Sequence, residues 1–203
     1  MISVYTYTPQ QYFGSNMYLI SSGDEWAVID PSVEYATVLR DHPEISGKLR
    51  YALLTHAHFD HIAKLSSWAD MVDIVIVGAH DAPMLRDAYL NCYLGFLGIE
   101  DGYFGEYKTV SDNDVLELGS DTIRVISTPG HTPGGVCYRI GDKLFVGDTI
   151  FSGGGYGRCD LPLGDIDALE KSIIRLITHE ADGMVYPGHG ESSRLSEIIR
   201  YFM

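Results

Sequence analysis

Short hydrophobic runs, separated by polar, glycine and proline residues, recur along almost the whole chain. Runs that alternate hydrophobic and polar residues predict half-buried strands, and continuous apolar runs of similar length predict fully buried strands. Amphipathic spacing predicts helices over residues 33–41, 62–69, 165–176 and 194–202. Strands mixed with helices in this way indicate two sheets covered by helices. The predicted strands are 2–8, 17–21, 25–30, 51–54, 74–78, 115–118, 122–127, 136–140 and 143–146.

The segment 55–61, Thr-His-Ala-His-Phe-Asp-His, is a dense polar run that directly follows the predicted strand 51–54. Burying such a run costs free energy unless positive charge compensates it. Three imidazoles and one carboxylate at this spacing suit Zn²⁺ or a similar first-row cation. A single loop histidine is more often solvated or hydrogen-bonded, but this spacing favours a metal site. The candidate ligands are His56, His58, Asp60 and His61.

Three further ligand-type residues, His131, Asp148 and His189, each follow an apolar run and lie among glycine, proline or small polar residues. Loops of this kind are where a rigid scaffold holds functional side chains. Together with the first four, they exceed the number of ligands that one tetrahedral zinc ion needs. Two ions that share a carboxylate account for all of them.

Taken in this order, the motifs resemble those of the metallo-β-lactamase superfamily over nearly the whole chain. Within it the sequence is most similar to small glyoxalase II-like hydrolases, with supporting matches at residues 85–91, 157–162 and 187–190. The resemblance implies an α/β fold with four layers, αβ/βα, in which two mixed sheets are flanked by helices. It also implies two divalent metal ions, Zn²⁺ foremost, with Fe or Mn as alternatives. One ion would be held by His56, His58 and His131, the other by Asp60, His61 and His189, and Asp148 would bridge them.

The reaction that the resemblance implies is hydrolysis of a thioester, an acylglutathione or a related acyl-thiol, by a hydroxide that bridges the two metal ions. Asp60 and Asp148 are the expected catalytic residues, and Asp60 would orient the nucleophile. A β-lactamase of the commonest type would carry cysteine in place of Asp148, which disfavours that activity. Full-length glyoxalase II continues into a helical segment that carries much of its thiol site, whereas this sequence ends at Met203. A different acyl-thiol or ester is therefore an alternative substrate.

Two other functional classes fit parts of the same pattern. A mononuclear-iron oxygenase resembling persulfide dioxygenases would use His56, His131 and Asp148 as a two-histidine, one-carboxylate site. Those relatives share the Gly-Arg-X-Asp element of residues 157–160, but glycine directly after His189 is more typical of the hydrolases. A non-catalytic, metal-stabilised binding protein is the least favoured class, because no ligand position is lost.

Substrate contacts are expected in the glycine-rich segment that follows Asp148. Arg158 would present its guanidinium to a substrate carboxylate, as a basic residue at the corresponding position does in glyoxalase II. Tyr156 is the second candidate for substrate binding. The alternative for Arg158 is an ion pair with Asp160 or Asp165.

The segment 81–113 is irregular in its pattern and rich in aromatic residues and glycines. Aromatic side chains on such a segment would form a lid over the pocket, cap the hydrophobic core or make a subunit contact. The sequence leaves these three roles open.

The composition limits the class of protein. A length of 203 residues is typical of one domain, here residues 1–203. The formal net charge of −14 comes without a basic stripe, which argues against a nucleic-acid partner. No apolar run reaches the roughly 20 residues that span a bilayer, no signal peptide is evident, and three widely spaced cysteines do not predict a disulfide framework. We therefore expect a cytoplasmic enzyme that acts on a small molecule and has no nucleic-acid or membrane partner. The sequence is compatible with a homo-oligomer.

Overall fold

The computed structural model describes residues 2–9 and 14–203, and within them two six-stranded sheets are formed. The strands of the first sheet, in their spatial order, are β1 (Ser3–Tyr7), β2 (Met17–Ser22), β3 (Glu25–Ile29), β4 (Leu49–Leu53), β5 (Val72–Gly78) and β6 (Lys108–Val110). The pairs β1–β2 and β2–β3 are antiparallel, while β3 to β6 pair in parallel. The sheet is therefore mixed.

The second sheet is built from the C-terminal half of the chain. Its strands, in chain order, are β7 (Val115–Leu118), β8 (Asp121–Ser127), β9 (Val136–Ile140), β10 (Lys143–Gly147), β11 (Met184–Pro187) and β12 (Ser193–Arg194). They lie side by side in the order β12-β11-β10-β9-β8-β7. The pair β10–β11 is parallel and the other pairs are antiparallel, so this sheet is mixed as well.

Helices cover the outer faces of both sheets. They are α1 (Tyr35–Asp41), α2 (Phe59–Ile62), α3 (Leu65–Trp68), α4 (Tyr93–Leu97), α5 (Ile166–His179) and α6 (Leu195–Ile198). Short 3₁₀ segments occur at Ala69–Met71, Ala82–Arg86, Ser152–Gly154 and Ile199–Tyr201. Asp165 caps the N-terminus of α5, because its side chain accepts a hydrogen bond from the backbone N–H of Ala168 at 3.0 Å.

The core has three hydrophobic layers, which follow from the alternation of side chains along each strand. In β2, Tyr18 and Ile20 pack against the second sheet, whereas Met17 and Leu19 pack towards α1 to α4. On the outer face of the second sheet, residues such as Cys137 pack beneath α5 and α6. Because both faces of each sheet are covered, most residues of the central strands are apolar and buried. The expected αβ/βα architecture is confirmed.

The predicted strands and helices are confirmed in most places, and the differences fall on short elements. The helix expected over 62–69 is two short helices, α2 and α3, and α2 begins at Phe59. Asp60 and His61 therefore lie in a helical turn rather than in a loop. The irregular segment 81–113 contains β6 and α4, which the pattern did not predict. Residues 108–110 are too few and too polar to show a strand period.

No helix in residues 2–9 and 14–203 combines the length and apolar character needed to cross a lipid bilayer. The interpretation of residues 1–203 as one domain stays a prediction.

Candidate metal centre

The candidate ligands lie at one edge of the molecule, where strands of both sheets end. The segment 55–58 follows β4 and leads into α2, while His131, Asp148 and His189 follow β8, β10 and β11. The two sheets are tied together at this edge, because the Thr55 carbonyl accepts a hydrogen bond from the Val136 N–H at 2.8 Å. Side chains far apart in the sequence are thereby brought into one cluster.

Three histidines form the first group of this cluster. The Nδ1 atom of His58 lies 2.8 Å from Nε2 of His131, and Nε2 of His56 lies 3.2 Å from the same atom. All three residues are buried. Their facing nitrogen atoms lie within 4.8 Å of one another, a spacing at which one metal ion can contact all three.

A second group forms around Asp60. Its Oδ2 atom lies 3.2 Å from Nε2 of His189 and 3.7 Å from Nε2 of His61. Asp148 lies between the two groups, with Oδ1 3.4 Å from His61 and Oδ2 3.6 Å from His131 and 3.5 Å from His189. The structure thus brings all seven predicted ligand residues together, and one carboxylate faces both groups.

Hydrogen bonds indicate which ring nitrogen of His56 and of His131 carries the proton. Nδ1 of His131 donates to the carbonyl of Arg158 at 2.7 Å. Nδ1 of His56 faces Thr55 Oγ1 at 3.2 Å, and that hydroxyl donates its own proton to Asp30 at 2.6 Å. The Nε2 atoms of His56 and His131 therefore point lone pairs at each other. This arrangement is repulsive unless a cation lies between the two rings.

The protonation of the first group agrees with that interpretation. Burial lowers the pKa of His56, His58 and His131, that of His58 to about 3. These imidazoles are therefore neutral near pH 7, which is the form that binds metal ions. One further atom of this group, Nε2 of His58, is buried without a hydrogen-bond partner among the described residues.

In the second group, carboxylates and imidazoles shift one another's pKa values. Burial opposes the ionised forms of Asp60 and Asp148, but the neighbouring histidines keep the pKa of both carboxyls below the usual value. Burial likewise disfavours charge on His61 and His189, yet the carboxylates around them raise both pKa values, that of His189 to about 9. Nε2 of His61 and Oδ1 of Asp148 are buried without hydrogen-bond partners in the described part of the chain. A divalent cation would satisfy these atoms, so the side chains fit a metal at each group.

Two buried aspartates that the sequence analysis missed hold the cluster in place. Asp30 accepts hydrogen bonds from His61 Nδ1 at 2.9 Å and from the Thr55 N–H at 2.7 Å. Asp81 accepts from the Ala57 N–H at 3.0 Å and from the Gly134 N–H at 2.6 Å, so it joins the two segments that carry His56, His58 and His131. Asp30 is the last residue of the predicted strand 25–30, and Asp81 comes three residues after the predicted strand 74–78. An acid at or near the end of a buried strand was the signal that could have found them.

Glycines let the backbone approach the cluster closely. A Cβ atom at Gly188 would lie 2.1 Å from Oδ1 of Asp148 and 2.6 Å from Cε1 of His61. A Cβ atom at Gly157 would lie 2.7 Å from Nδ1 of His131. The glycines of the Pro-Gly-His-Gly and Gly-Arg-X-Asp elements therefore have a steric role beside the candidate ligands.

A cleft of about 360 Å³ opens onto the cluster. Its volume is within the range of pockets that hold small molecules. Both predicted substrate residues line it, Arg158 and the half-exposed Tyr156. The cysteine on the cleft wall is the buried Cys92, whereas Cys159 packs beside the third hydrophobic layer. The other lining residues are Gly14, His58, Phe59, Asp60, Phe96, His131, Asp148, Phe151, Gly157, Leu161 and His189.

The aromatic segment 81–113 serves more than one purpose. Phe96 of α4 lines the cleft and stacks on Phe59, with ring centroids 5.3 Å apart. Tyr93 and Tyr103 are buried in the layer beneath. Phe104 is 68% exposed on the surface. One aromatic residue of the segment therefore forms a wall of the cleft, and others cap the core.

Comparison with known proteins agrees with the geometry. The sequence model of the metallo-beta-lactamase superfamily matches residues 12–189. The chain is 34% identical to the probable metallo-hydrolase YqgX of Bacillus subtilis, covering 90% of this chain and 89% of the relative. It is 27% identical to the hydroxyacylglutathione hydrolase GloC of Haemophilus influenzae, covering 86% and 84%. The crystal structure of the BLEG-1 B3 metallo-beta-lactamase superposes with a TM-score of 0.84 at 26% identity, covering 98% and 97%. The chain belongs to the metallo-β-lactamase superfamily.

Proposed function

We propose that the protein is a metal-dependent hydrolase of thioesters, with two divalent ions in the cluster. His56, His58 and His131 would hold one ion, Asp60, His61 and His189 the other, and Asp148 would contact both. The observation that carries this proposal is the Asp148 carboxylate, which lies within 3.6 Å of histidines of both groups. Zn²⁺ is the first expectation for the metal, and Fe or Mn are the alternatives.

Two such ions, when bound, acidify a shared water and polarise the carbonyl group of the substrate. The chain's own residues supply the rest of the chemistry. Asp60 is ionised and reaches the cleft, so its Oδ2 can accept a hydrogen bond from the attacking water. Asp60 then carries a proton from that water to the leaving group. Phe59, Phe96 and Phe151 shield the reacting atoms from bulk water.

A thioester suits this cleft because of its leaving group. Attack of water forms a carbon–oxygen bond, and the carbon–sulfur bond breaks to release a carboxylic acid and a thiol. The thiol has a pKa of about 8.5, so the departing sulfur needs little help from an acid. Among residues 2–9 and 14–203, the cleft is lined by no lysine that could provide such an acid. The likeness to GloC, whose name specifies hydrolysis of a thioester, hydroxyacylglutathione, supports a thioester as the substrate without identifying its thiol part. Arg158 and Tyr156 are proposed to contact that substrate.

The second candidate is a mononuclear-iron oxygenase acting on persulfides. Three side chains of the cluster would suffice for it, because Nε2 of His131 lies 3.2 Å from His56 and 3.6 Å from Asp148. The hydrolase accounts for more of the geometry. An oxygenase with one iron ion would not use Asp60 and His189, although the structure places these two side chains in close contact.

The metal content and turnover of the purified protein separate the two candidates. The hydrolase predicts two divalent ions per chain and release of a thiol from S-benzoyl-N-acetylcysteamine. One iron ion per chain, with oxygen uptake on glutathione persulfide and no thiol release, would support the oxygenase. Rapid hydrolysis of a chromogenic cephalosporin, without hydrolysis of the thioester, would instead show that the site acts on β-lactams.

A further inference from the structure

The mouth of the cleft carries one strongly basic side chain. Of the described residues that line the cleft, only Arg158 is a lysine or arginine. The formal net charge of the chain is −14. The guanidinium of Arg158 is therefore the group at the mouth of the cleft that can attract an anionic substrate.

The guanidinium of Arg158 is already engaged by a neighbouring acid. Nε donates to Oδ1 of Asp160 at 2.8 Å and Nη2 donates to Oδ2 at 2.7 Å, which is the bidentate geometry of a strong charged pair. This contact lowers the pKa of Asp160 to about 2. The acid therefore stays ionised at any pH at which the enzyme would work, and the pair carries no net charge.

The other surroundings of Arg158 are apolar. Its Cζ atom lies 5.8 Å from the ring centroid of Phe96, which in turn stacks on Phe59. Leu161, Phe151 and the ring of Tyr156 continue the apolar surface of the cleft. A substrate at the mouth would therefore meet aromatic walls and a neutralised ion pair.

We infer that Asp160 is a specificity-determining residue: by neutralising Arg158 it adapts the cleft to thioesters whose thiol part carries no net negative charge. This inference rests on the proposed thioesterase function and refines its substrate class. Thioesters of neutral thiols with apolar or aromatic acyl groups are the preferred substrates. Thioesters of carboxylate-bearing thiols are poorer ones, because Asp160 competes with their carboxylates for the same guanidinium.

The ion pair between Arg158 and Asp160 can be altered without destabilising the fold. The side chains of Arg158 and Asp160 are 59% and 68% exposed, and pairs this exposed contribute little to stability. Asp160→Asn keeps the shape of the side chain and leaves Arg158 with its positive charge. Asp167→Asn is the matched control, because it changes the net charge equally at an exposed position of α5 that does not line the cleft.

The test compares two substrates with the same acyl group. S-benzoyl-N-acetylcysteamine is neutral, and S-benzoyl-3-mercaptopropionate carries one carboxylate. We expect the unaltered enzyme to have the higher kcat/KM for the neutral thioester. Asp160→Asn should raise the ratio of kcat/KM for the anionic over the neutral thioester by about threefold to tenfold at low salt. The gain should shrink in 0.5 M NaCl, since exposed charges are screened, and Asp167→Asn should leave the ratio unchanged.

Binding of the matching thioethers, S-benzyl-N-acetylcysteamine and S-benzyl-3-mercaptopropionate, gives the same ratio without turnover. An unaltered enzyme that prefers the anionic compounds, or an Asp160→Asn ratio equal to that of the control, would overturn the inference. Absence of thioester hydrolysis in the unaltered enzyme would overturn the proposed function instead. In that case the ratio of the two thioether dissociation constants still decides whether Asp160 sets the charge preference.

Discussion

The candidate metal centre and the mouth of the cleft hold their charged groups in opposite ways. At the centre, most ligand-type side chains are buried, and second partners fix some of them, as Asp30 fixes His61 and the Arg158 carbonyl fixes His131. At the mouth, the side chains of Arg158 and Asp160 are exposed and bind each other. The chemistry is therefore set by many elements of the fold together. In our proposal, the choice of substrate would depend on a few surface side chains that can change independently.

This contrast predicts that substitution of Asp148 has the largest effect on turnover and metal content. Asp148→Asn removes a charge that faces both ligand groups, so we expect thioester turnover to be lost and the metal content to fall. Metal analysis and kcat/KM of the purified variant measure both effects, with circular dichroism to show that the protein is folded. Near-normal turnover in a folded Asp148→Asn protein would remove this residue from the proposed mechanism.

A smaller loss is expected from Asp30, which touches the centre only through His61 and Thr55. Asp30→Ala leaves the donors of both residues buried without their acceptor. Loss of such a supporting partner typically lowers metal affinity by about 10-fold to 100-fold. Competition with a fluorescent chelator measures the affinity, and Asp167→Asn serves as the control. An unchanged metal affinity would show that His61 is oriented by other contacts.

Gly188 tests whether the backbone must approach the centre closely. In Gly188→Ala the new Cβ would lie 2.1 Å from Oδ1 of Asp148, and overpacking of this kind costs roughly 1–3 kcal/mol. We expect a lower Tm and partial loss of metal. Gly95→Ala is the control, because a Cβ atom at Gly95 would meet nothing within 4 Å. Equal Tm values for the two variants would contradict the steric role.

The smallest effect is expected at the mouth. Tyr156 is 47% exposed, and surface substitutions usually change the free energy of unfolding by about 0.5 kcal/mol or less. Tyr156→Phe should leave the Tm and the metal content unchanged and alter only KM for the thioester. A loss of bound metal in this variant would show that the mouth and the centre are not independent.

The sequence was sufficient to predict the ligand cluster because its members lie in segments that follow apolar runs. His131, Asp148 and His189 are far apart in the chain, but the ends of β8, β10 and β11 bring them together. The four-layer fold came from the family resemblance, since the pattern of strands and helices predicts only two covered sheets. The four-layer αβ/βα arrangement could therefore be predicted only from that resemblance.

Other features depend on contacts that no local pattern records. Asp30 and Asp81 are single acids at or near the ends of predicted strands, and their supporting role depends on partners that are distant in the sequence. The three-residue strand β6 forms because β5 offers it a parallel edge. Cys92 reaches the cleft wall because α4 begins there. Tertiary pairing, rather than propensity, determines all of these features.

The central claim is tested most directly by a crystal of the metal-loaded protein, with anomalous diffraction measured at the absorption edge of the bound metal. The account predicts two anomalous peaks that flank the Asp148 carboxylate, one beside His56, His58 and His131 and the other beside Asp60, His61 and His189. A single peak beside His56, His131 and Asp148, with Asp60 and His189 free of metal, would contradict it.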